Sequence, residues 1–416
     1  MFWSHSDTPR LFYSLNHLSP GLSFQPVDAL INAFELKQSV YFSTKRYGLL
    51  AGAPFARLLY EGRKGLVERA QASLDFARSM GYDNAILIGA IPFQVEQTPS
   101  LCVATNVVQH YYNGQSFADP CDTETQTSLS SWDHQPPAAH FKRIVTAATD
   151  LFSETELSKV VLSRTLRLTT KEKLDVRKVL ARLVRKNSNG FNFAVSLPDD
   201  LGRQGTFLGA SPELLLRKMG CRISLNPLAG SIPRVADPEL DQARAQALLE
   251  SDKDLREHAL VVRSIREILE PLCKHLMIPE RPSLMQTDSM WHLSTEIEGE
   301  LNNNAMSSLE LALALHPTPA VCGYPTDVAR RAILELEGYD RGLFTGLVGW
   351  CNAKGDGEWA IAIRCATIQD NEVQVFAGAG IVSGSCPEKE YRETHAKFQT
   401  MLRGLGVSFE DSEVKP

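Results

Sequence analysis

Apolar residues along this chain recur with two periods. Short apolar runs read as strands: Ala85-Ile-Leu-Ile-Gly89, Leu101-Cys-Val-Ala104, Lys159 to Leu168, Asn192 to Leu197 and Thr206 to Gly209. Leu214 to Arg217 and Arg222 to Leu225 flank a Met219-Gly220 turn and predict a hairpin. Three more strands are expected at Leu343 to Trp350, Glu358 to Thr367 and Glu372 to Ala377. Apolar residues at helical spacing, such as Phe141, Ile144, Val145 and Ala148, place a helix after Pro137. Further helices are predicted over Asp175 to Lys186, over Asp237 to Leu272 with a break or bend near Ser251-Asp252, over Ser307 to Leu315, and from Pro387 onward.

Strand pairs with inserted helices point to an α+β fold with a mostly antiparallel sheet, not a βαβ repeat. The polar stretch Asp122 to Pro137 is the best candidate boundary, because its proline pair disfavours regular structure. The two sides are not obviously separable. One large domain over residues 1–416 is therefore expected, with the informative motifs in 137–416 and little chemistry legible in 1–136.

The composition of these 416 residues is that of an ordinary soluble protein, 43% apolar and 22% charged. A net charge of -6 offers no global attraction to nucleic acid or an anionic membrane. Met1 to Phe12 lacks a basic stretch followed by an apolar core, and no apolar run approaches a bilayer span. Eight cysteines without a C-x-x-C pair suit reduced thiols and a cytoplasmic setting.

Candidate chemistry lies in a few clusters. Asp254 and Glu257, and again Glu390 and Glu393, are carboxylates three residues apart on predicted helices, so each pair shares a face. Solvated helix faces would look the same. If the two helices meet, they make an oxygen-rich site suited to Mg²⁺. Lys159 opens an apolar strand, either as a snorkelling end or as a desolvated general base. Glu213 follows Gly209-Ala-Ser-Pro212, as a loop residue or as a general acid raised by burial. His292 and Arg364 sit in apolar context, where a core histidine and a structural ion pair are the plain alternatives. Phe376-Ala-Gly-Ala-Gly-Ile-Val-Ser-Gly384 has the wrong glycine spacing for a dinucleotide fingerprint and lacks the lysine of a P-loop. Its glycines instead suit close approach of backbone N–H groups to a ligand carboxylate.

Together these segments resemble the chorismate-utilising enzymes from about Pro137 to the C-terminus. The resemblance rests on Lys159-Val-Val-Leu-Ser-Arg164, Gly209-Ala-Ser-Pro-Glu213, Leu228-Ala-Gly-Ser231, Glu257-His258, His292-Leu-Ser294, Ile363-Arg364, Phe376 to Ile381, and Glu393-Thr394, in that order. It implies two packed antiparallel sheets with helices outside, and chorismate as a small-molecule substrate. It also implies Mg²⁺ on Glu257 and Glu393, supported by Asp254 and Glu390. Arg364 and Lys397 would hold the pyruvyl carboxylate, helped by backbone amides near Gly380. Ser231 and His292 would lie beside the ring. Relatives of this kind are commonly monomers.

Within that family, Lys159 matches the position of the water-activating base of isochorismate and salicylate synthases, where the aminating members carry glutamine. Ala229 stands where aminodeoxychorismate synthases commonly carry a nucleophilic lysine. The segment Leu315-His-Pro-Thr-Pro-Ala-Val-Cys-Gly-Tyr-Pro325 is similar to the isochorismate branch. The expected activity is therefore isochorismate synthesis, with salicylate synthesis as the alternative. The length and compact N-terminal part are more similar to enzymes feeding catechol siderophores than to those feeding menaquinone. The expected mechanism needs Lys159 displaced downward and Glu213 upward in pKa, with Glu213 the farther of the two from the metal. A phosphoryl-transfer enzyme would need a phosphate cradle that is not visible, and a non-catalytic sensor would not need a base and an acid.

Overall fold

The computed structural model describes residues 26–58, 62–112, 126–197 and 205–407. Met1 to Phe12, Cys121 and the first residues of the Asp122 to Pro137 stretch lie outside them. The seven cysteines among the described residues are all free. No helix among them is long and apolar enough to cross a membrane.

Two antiparallel sheets of ten and nine strands pack face to face, and a three-stranded sheet completes the fold. Alternation along the strands explains the layering. Val40 and Phe42 point into the layer between the sheets, while Tyr41 between them faces the outer side. Phe193, Val195 and Phe207 meet Ile86, Ile88, Val348 and Trp350 in that shared core. The outer face of the ten-stranded sheet buries the helices Val176–Lys186 and Pro387–Leu405. The outer face of the nine-stranded sheet buries Gly62–Ser79, Asp252–Leu269 and Ser308–Leu315.

Strands from before and after residue 137 join in both large sheets. Val40–Ser43 pairs with Phe191–Leu197, and Ile86–Ile91 pairs with Leu347–Asn352. The proposed boundary stretch contains a strand, Leu129–Gln135, which extends the ladder of Lys159–Thr170. Its polar composition reflects exposure on the sheet edge, not a linker.

The helix expected over Asp237 to Leu272, broken or bent near Ser251-Asp252, is broken there into Pro238–Leu249 and Asp252–Leu269. Asp237 caps the first through the N–H groups of Glu239 and Leu240, and Ser251 caps the second through that of Asp254. The strand expected over Glu358 to Thr367 is also two, Gly357–Ile361 in the nine-stranded sheet and Cys365–Gln369 in the ten-stranded one. The chain crosses between sheets at residues 362–364, and Arg364 makes the turn with φ 50. Similarly, the strand expected from Leu343 begins at Leu347, after a bend in which Thr345 has φ 59.

Phe193 is fully buried between the sheets, 5.4 Å from the Phe207 ring centroid. Phe193→Ala should therefore destabilise the fold by about 3–5 kcal/mol. Urea unfolding would check this, and a loss under about 1 kcal/mol would place the core elsewhere.

Candidate active site

Eight of the eleven residues singled out in the sequence line one cavity: Glu213, Ser231, Glu257, His292, Arg364, Gly380, Glu393 and Lys397. Lys159 lies directly behind it against Glu257. Asp254 and Glu390 stand one turn away from Glu257 and Glu393 on their respective helices. A larger cleft shares only Pro212 and Arg364 with this cavity.

Lys159 begins the strand Lys159–Thr170, where it pairs with Val382 on one side and Tyr324 on the other. Its side chain is fully buried, and Nζ lies 3.0 Å from Glu257 Oε1. A lone ammonium there would be prohibitively desolvated, and the carboxylate offsets that cost. The lysine read as either a snorkelling strand end or a desolvated general base is buried in an ion pair, because the Asp252–Leu269 helix delivers Glu257 to the same spot. Gly380, on the neighbouring strand, makes the meeting possible. A Cβ at that position would fall 2.0 Å from Glu257 Oε1 and 3.2 Å from Lys159 Cε. Gly380 thus supplies space for a carboxylate as well as backbone.

Glu213 occupies the turn between the strands Gly205–Ser211 and Leu214–Met219. It is 3% exposed, and its Oε1 accepts a long 3.5 Å hydrogen bond from Leu228 N. Burial pushes its carboxyl up to about 7; the Leu228 N–H, Lys159, Arg364 and Lys397 oppose the rise without cancelling it. The direction is the one a general acid needs. Lys159 touches the carboxylate Glu257, while the charged groups acting on Glu213 are cations.

Ser231 and His292 are cross-strand partners in the three-stranded sheet. Ser231 Oγ donates to Glu393 Oε1 at 3.1 Å. His292 Nε2 is buried without a hydrogen-bond partner. Burial first, then Arg364 and Lys397, hold this imidazole well below its ordinary pKa, so it faces the cavity uncharged. Arg364 is 7% exposed, and no hydrogen bond joins its guanidinium to another described residue. Burial pulls it down to about 10, which leaves it cationic at neutral pH. The plain alternative of a structural ion pair for Arg364 is not what the structure shows. A buried, unpaired guanidinium beside an unpartnered imidazole calls for an anionic ligand.

The carboxylates form a second zone. Lys253 Nζ binds Glu390 Oε1 at 2.8 Å, Lys397 Nζ binds Glu393 Oε1 at 2.6 Å, and Ser251 Oγ donates to Asp254 Oδ2 at 2.5 Å. Burial and the neighbouring Glu393 raise Glu390 to about 7. Burial also raises Asp254, with Ser251 and Lys253 opposing, and Glu257 and Glu393 adding to the rise. Burial would raise Glu393 too, but Lys397, Lys253 and Ser231 prevail and lower it. This zone holds more acid than its lysines neutralise. Its donors are oxygen alone, the chemistry of a hard divalent cation. Among the described residues, however, no three acidic, histidine or cysteine side chains are spaced as a formed metal centre. The donor set fits such an ion, and the lysines occupy the oxygens it would take.

Sequence reasoning missed Lys253 and the apolar wall of Val161, Val321, Phe344 and Thr345. Lys253 was visible as a cation next to Asp254. The wall residues carry no signal, because nothing separates them in sequence from ordinary core.

A cavity lined by an acid, an unpaired arginine and an acidic zone for a cation defines the class as an enzyme acting on a small anion. The chain belongs to the chorismate binding enzyme family, whose model matches residues 84–406. It is 45% identical to isochorismate synthase DhbC of Bacillus subtilis over 82% of this chain and 85% of that one. It is 42% identical to isochorismate synthase EntC of Escherichia coli, over 80% and 84%. A crystal structure described as the putative 2,3-dihydroxybenzoate-specific isochorismate synthase DhbC of Bacillus anthracis superposes with a TM-score of 0.86. It has 41% identity and covers 92% of this chain and all of that one. The fold expected from the resemblance, packed antiparallel sheets with helices outside, is the fold found.

Glu213 gives a pH test. Its folded pKa is raised, so the stability it contributes is complete below about 4.5 and lost as pH climbs through about 7. Glu213→Gln lacks that loss. The wild type should fall relative to the variant by on the order of 3 kcal/mol between pH 4.5 and 8. Urea unfolding of both proteins across that range measures it. A flat difference would mean that the carboxyl keeps its ordinary value in the fold.

Proposed function

We propose that this chain is a Mg²⁺-dependent isochorismate synthase, converting chorismate reversibly to isochorismate for a catechol siderophore. The observation that carries the reading is a buried lysine and a buried, raised carboxylic acid serving one cavity that also presents an unpaired arginine. The names of the relatives support the same product. One of them, a vibriobactin-specific isochorismate synthase from Vibrio cholerae, is 39% identical over 83% of this chain and 86% of that one.

The site residues would act as follows. Arg364 and Lys397 bind the pyruvyl carboxylate, and the cavity's unpartnered guanidinium is thereby satisfied. His292 and Ser231 border the ring from adjacent strands. Glu257 and Glu393, with Asp254 and Glu390 behind them, would hold the ion. When bound, Mg²⁺ would neutralise the ring carboxylate, polarise the conjugated system and compete with Lys159 for Glu257. Lys159 removes a proton from water as its oxygen bonds to C2. Glu213 gives its proton to the C4 hydroxyl, which departs as water while the double bonds shift. One water enters and one leaves, so no redox cofactor enters the balance.

Lys159→Ala should lose roughly two to four orders of magnitude in turnover, the scale of general-base removal. Near-normal turnover would take Lys159 out of the mechanism. Incubating pure protein with chorismate, with and without Mg²⁺, and following products by NMR tests the activity itself. Isochorismate approaching a fixed ratio with chorismate only when metal is present is the expected result. Salicylate plus pyruvate would move the chain to the lyase branch, and unchanged chorismate would overturn the assignment. Glu257→Ala or Glu393→Ala should abolish the metal-dependent activity, and an unaltered Mg²⁺ titration would rule out the proposed ligands.

A further inference from the structure

The strand that carries Lys159 has an incomplete edge. Along one side it pairs throughout with Glu372–Val382. On the other side Lys159 and Val160 pair with Tyr324 and Gly323, and Thr165 to Thr170 pair with Leu129–Gln135. Among the described residues, no strand covers the interval between these two partners. Val161 N still finds Cys322 O at 2.8 Å, but the Val161 carbonyl and the Ser163 N–H are left facing outward.

A buried ion pair closes that gap. Glu337 Oε1 accepts from both Ser163 N and Ser163 Oγ at 2.7 Å. Arg341 donates through Nη2 to Val161 O at 2.7 Å. Its other donors go through Nη1 to Val321 O at 2.8 Å and Thr345 Oγ1 at 3.2 Å, and to both oxygens of Glu337 at 2.8 and 2.5 Å. All five guanidinium N–H groups are thereby used. The two side chains are 2% and 0% exposed. Glu337 and Arg341 stand in for a missing strand, one supplying the acceptor and the other the donor.

Three of the segments held by Arg341 are walls of the cavity: Val161, Val321 and Thr345. Thr345 is a β-branched residue at φ 59, a conformation that persists only when its surroundings enforce it. A buried ion pair is a poor source of stability compared with apolar packing, but it fixes geometry with high directional demand. We propose that the Glu337–Arg341 pair is a positioning device that sets how the substrate fits this cavity without touching the substrate. The inference rests on chorismate being the substrate.

The test separates fit from folding. A purely structural role lowers the number of folded molecules, which reduces kcat and leaves KM alone. A positioning role moves the wall in molecules that are folded and active, which raises KM. Steady-state kinetics and thermal melts on Arg341→Lys, Glu337→Gln and Thr345→Val give the readout. Thr345→Val keeps the ion pair and both carbonyl contacts, and the melts establish which of the three variants are folded. We expect KM for chorismate to rise roughly tenfold in the first two and about threefold in the third, with kcat changed less than KM. Wild-type KM in the folded variants, with any loss confined to kcat, would overturn the proposal while leaving the activity intact. Failure of the wild type to turn over chorismate would overturn both.

Discussion

Lys159 and Glu257 meet 3.0 Å apart where neither reaches bulk water, and three stretches of chain must agree for that to happen. The strand from Lys159 has to present its first side chain inward. The helix capped by Ser251 has to bring Glu257 down onto it. Between them the strand Glu372–Val382 has to pass with no side chain at Gly380. Each condition is met by backbone: a ladder in unbroken register, a capped helix start, and one absent Cβ. The rest of the site hangs from this contact, since Glu393 lies across from Glu257 on the other carboxylate-bearing helix.

Electrostatics divides the cavity into two regions. On the helix side, buried acids crowd one another and borrow lysines, and Glu390 and Asp254 hold their protons more tightly as a result. On the strand side, Glu213 sits among cations and is nonetheless raised, because burial outweighs them. The same physical cause raises acids in both regions, but the partners differ. Acid neighbours favour a cation on the helix side. Arg364 and an uncharged His292 favour an anion on the strand side. A substrate with carboxylates at both ends would reach across the divide with a cation bound on the helix side.

How much of this was legible in sequence follows from what each feature depends on. The paired carboxylates could be read because i, i+3 spacing fixes a shared helix face whatever the tertiary structure. The hairpin at Met219-Gly220 and the final helix from Pro387 were also local, and both are present. A break or bend of the helical stretch near Ser251-Asp252 was legible too, and the capped restart at Ser251 makes it a break. The crossing at Arg364 was hidden. The apolar residues on either side, Trp359 to Ile363 and Cys365 to Ala366, read as one strand, and only the positions of the two sheets require a left-handed residue between them. The chemistry of Lys159 and Glu213 came from resemblance, because an apolar strand with a lysine at its end is common. Their burial, and the ion pair with Glu257, needed the fold.

The single missing methyl at Gly380 also bears on how such a site changes over time. Wall positions such as Ala229 or Val321 can exchange one apolar side chain for another and reshape the cavity by degrees. Position 380 has no such gradient. The smallest possible addition would push against the end of a flexible glutamate, which can swing aside at little expense to the fold, but not while keeping its lysine. On the proposed mechanism a chain altered there would keep its fold and lose its turnover. Specificity can drift by small steps in such an architecture, whereas the Lys159–Glu257 contact would be lost in one.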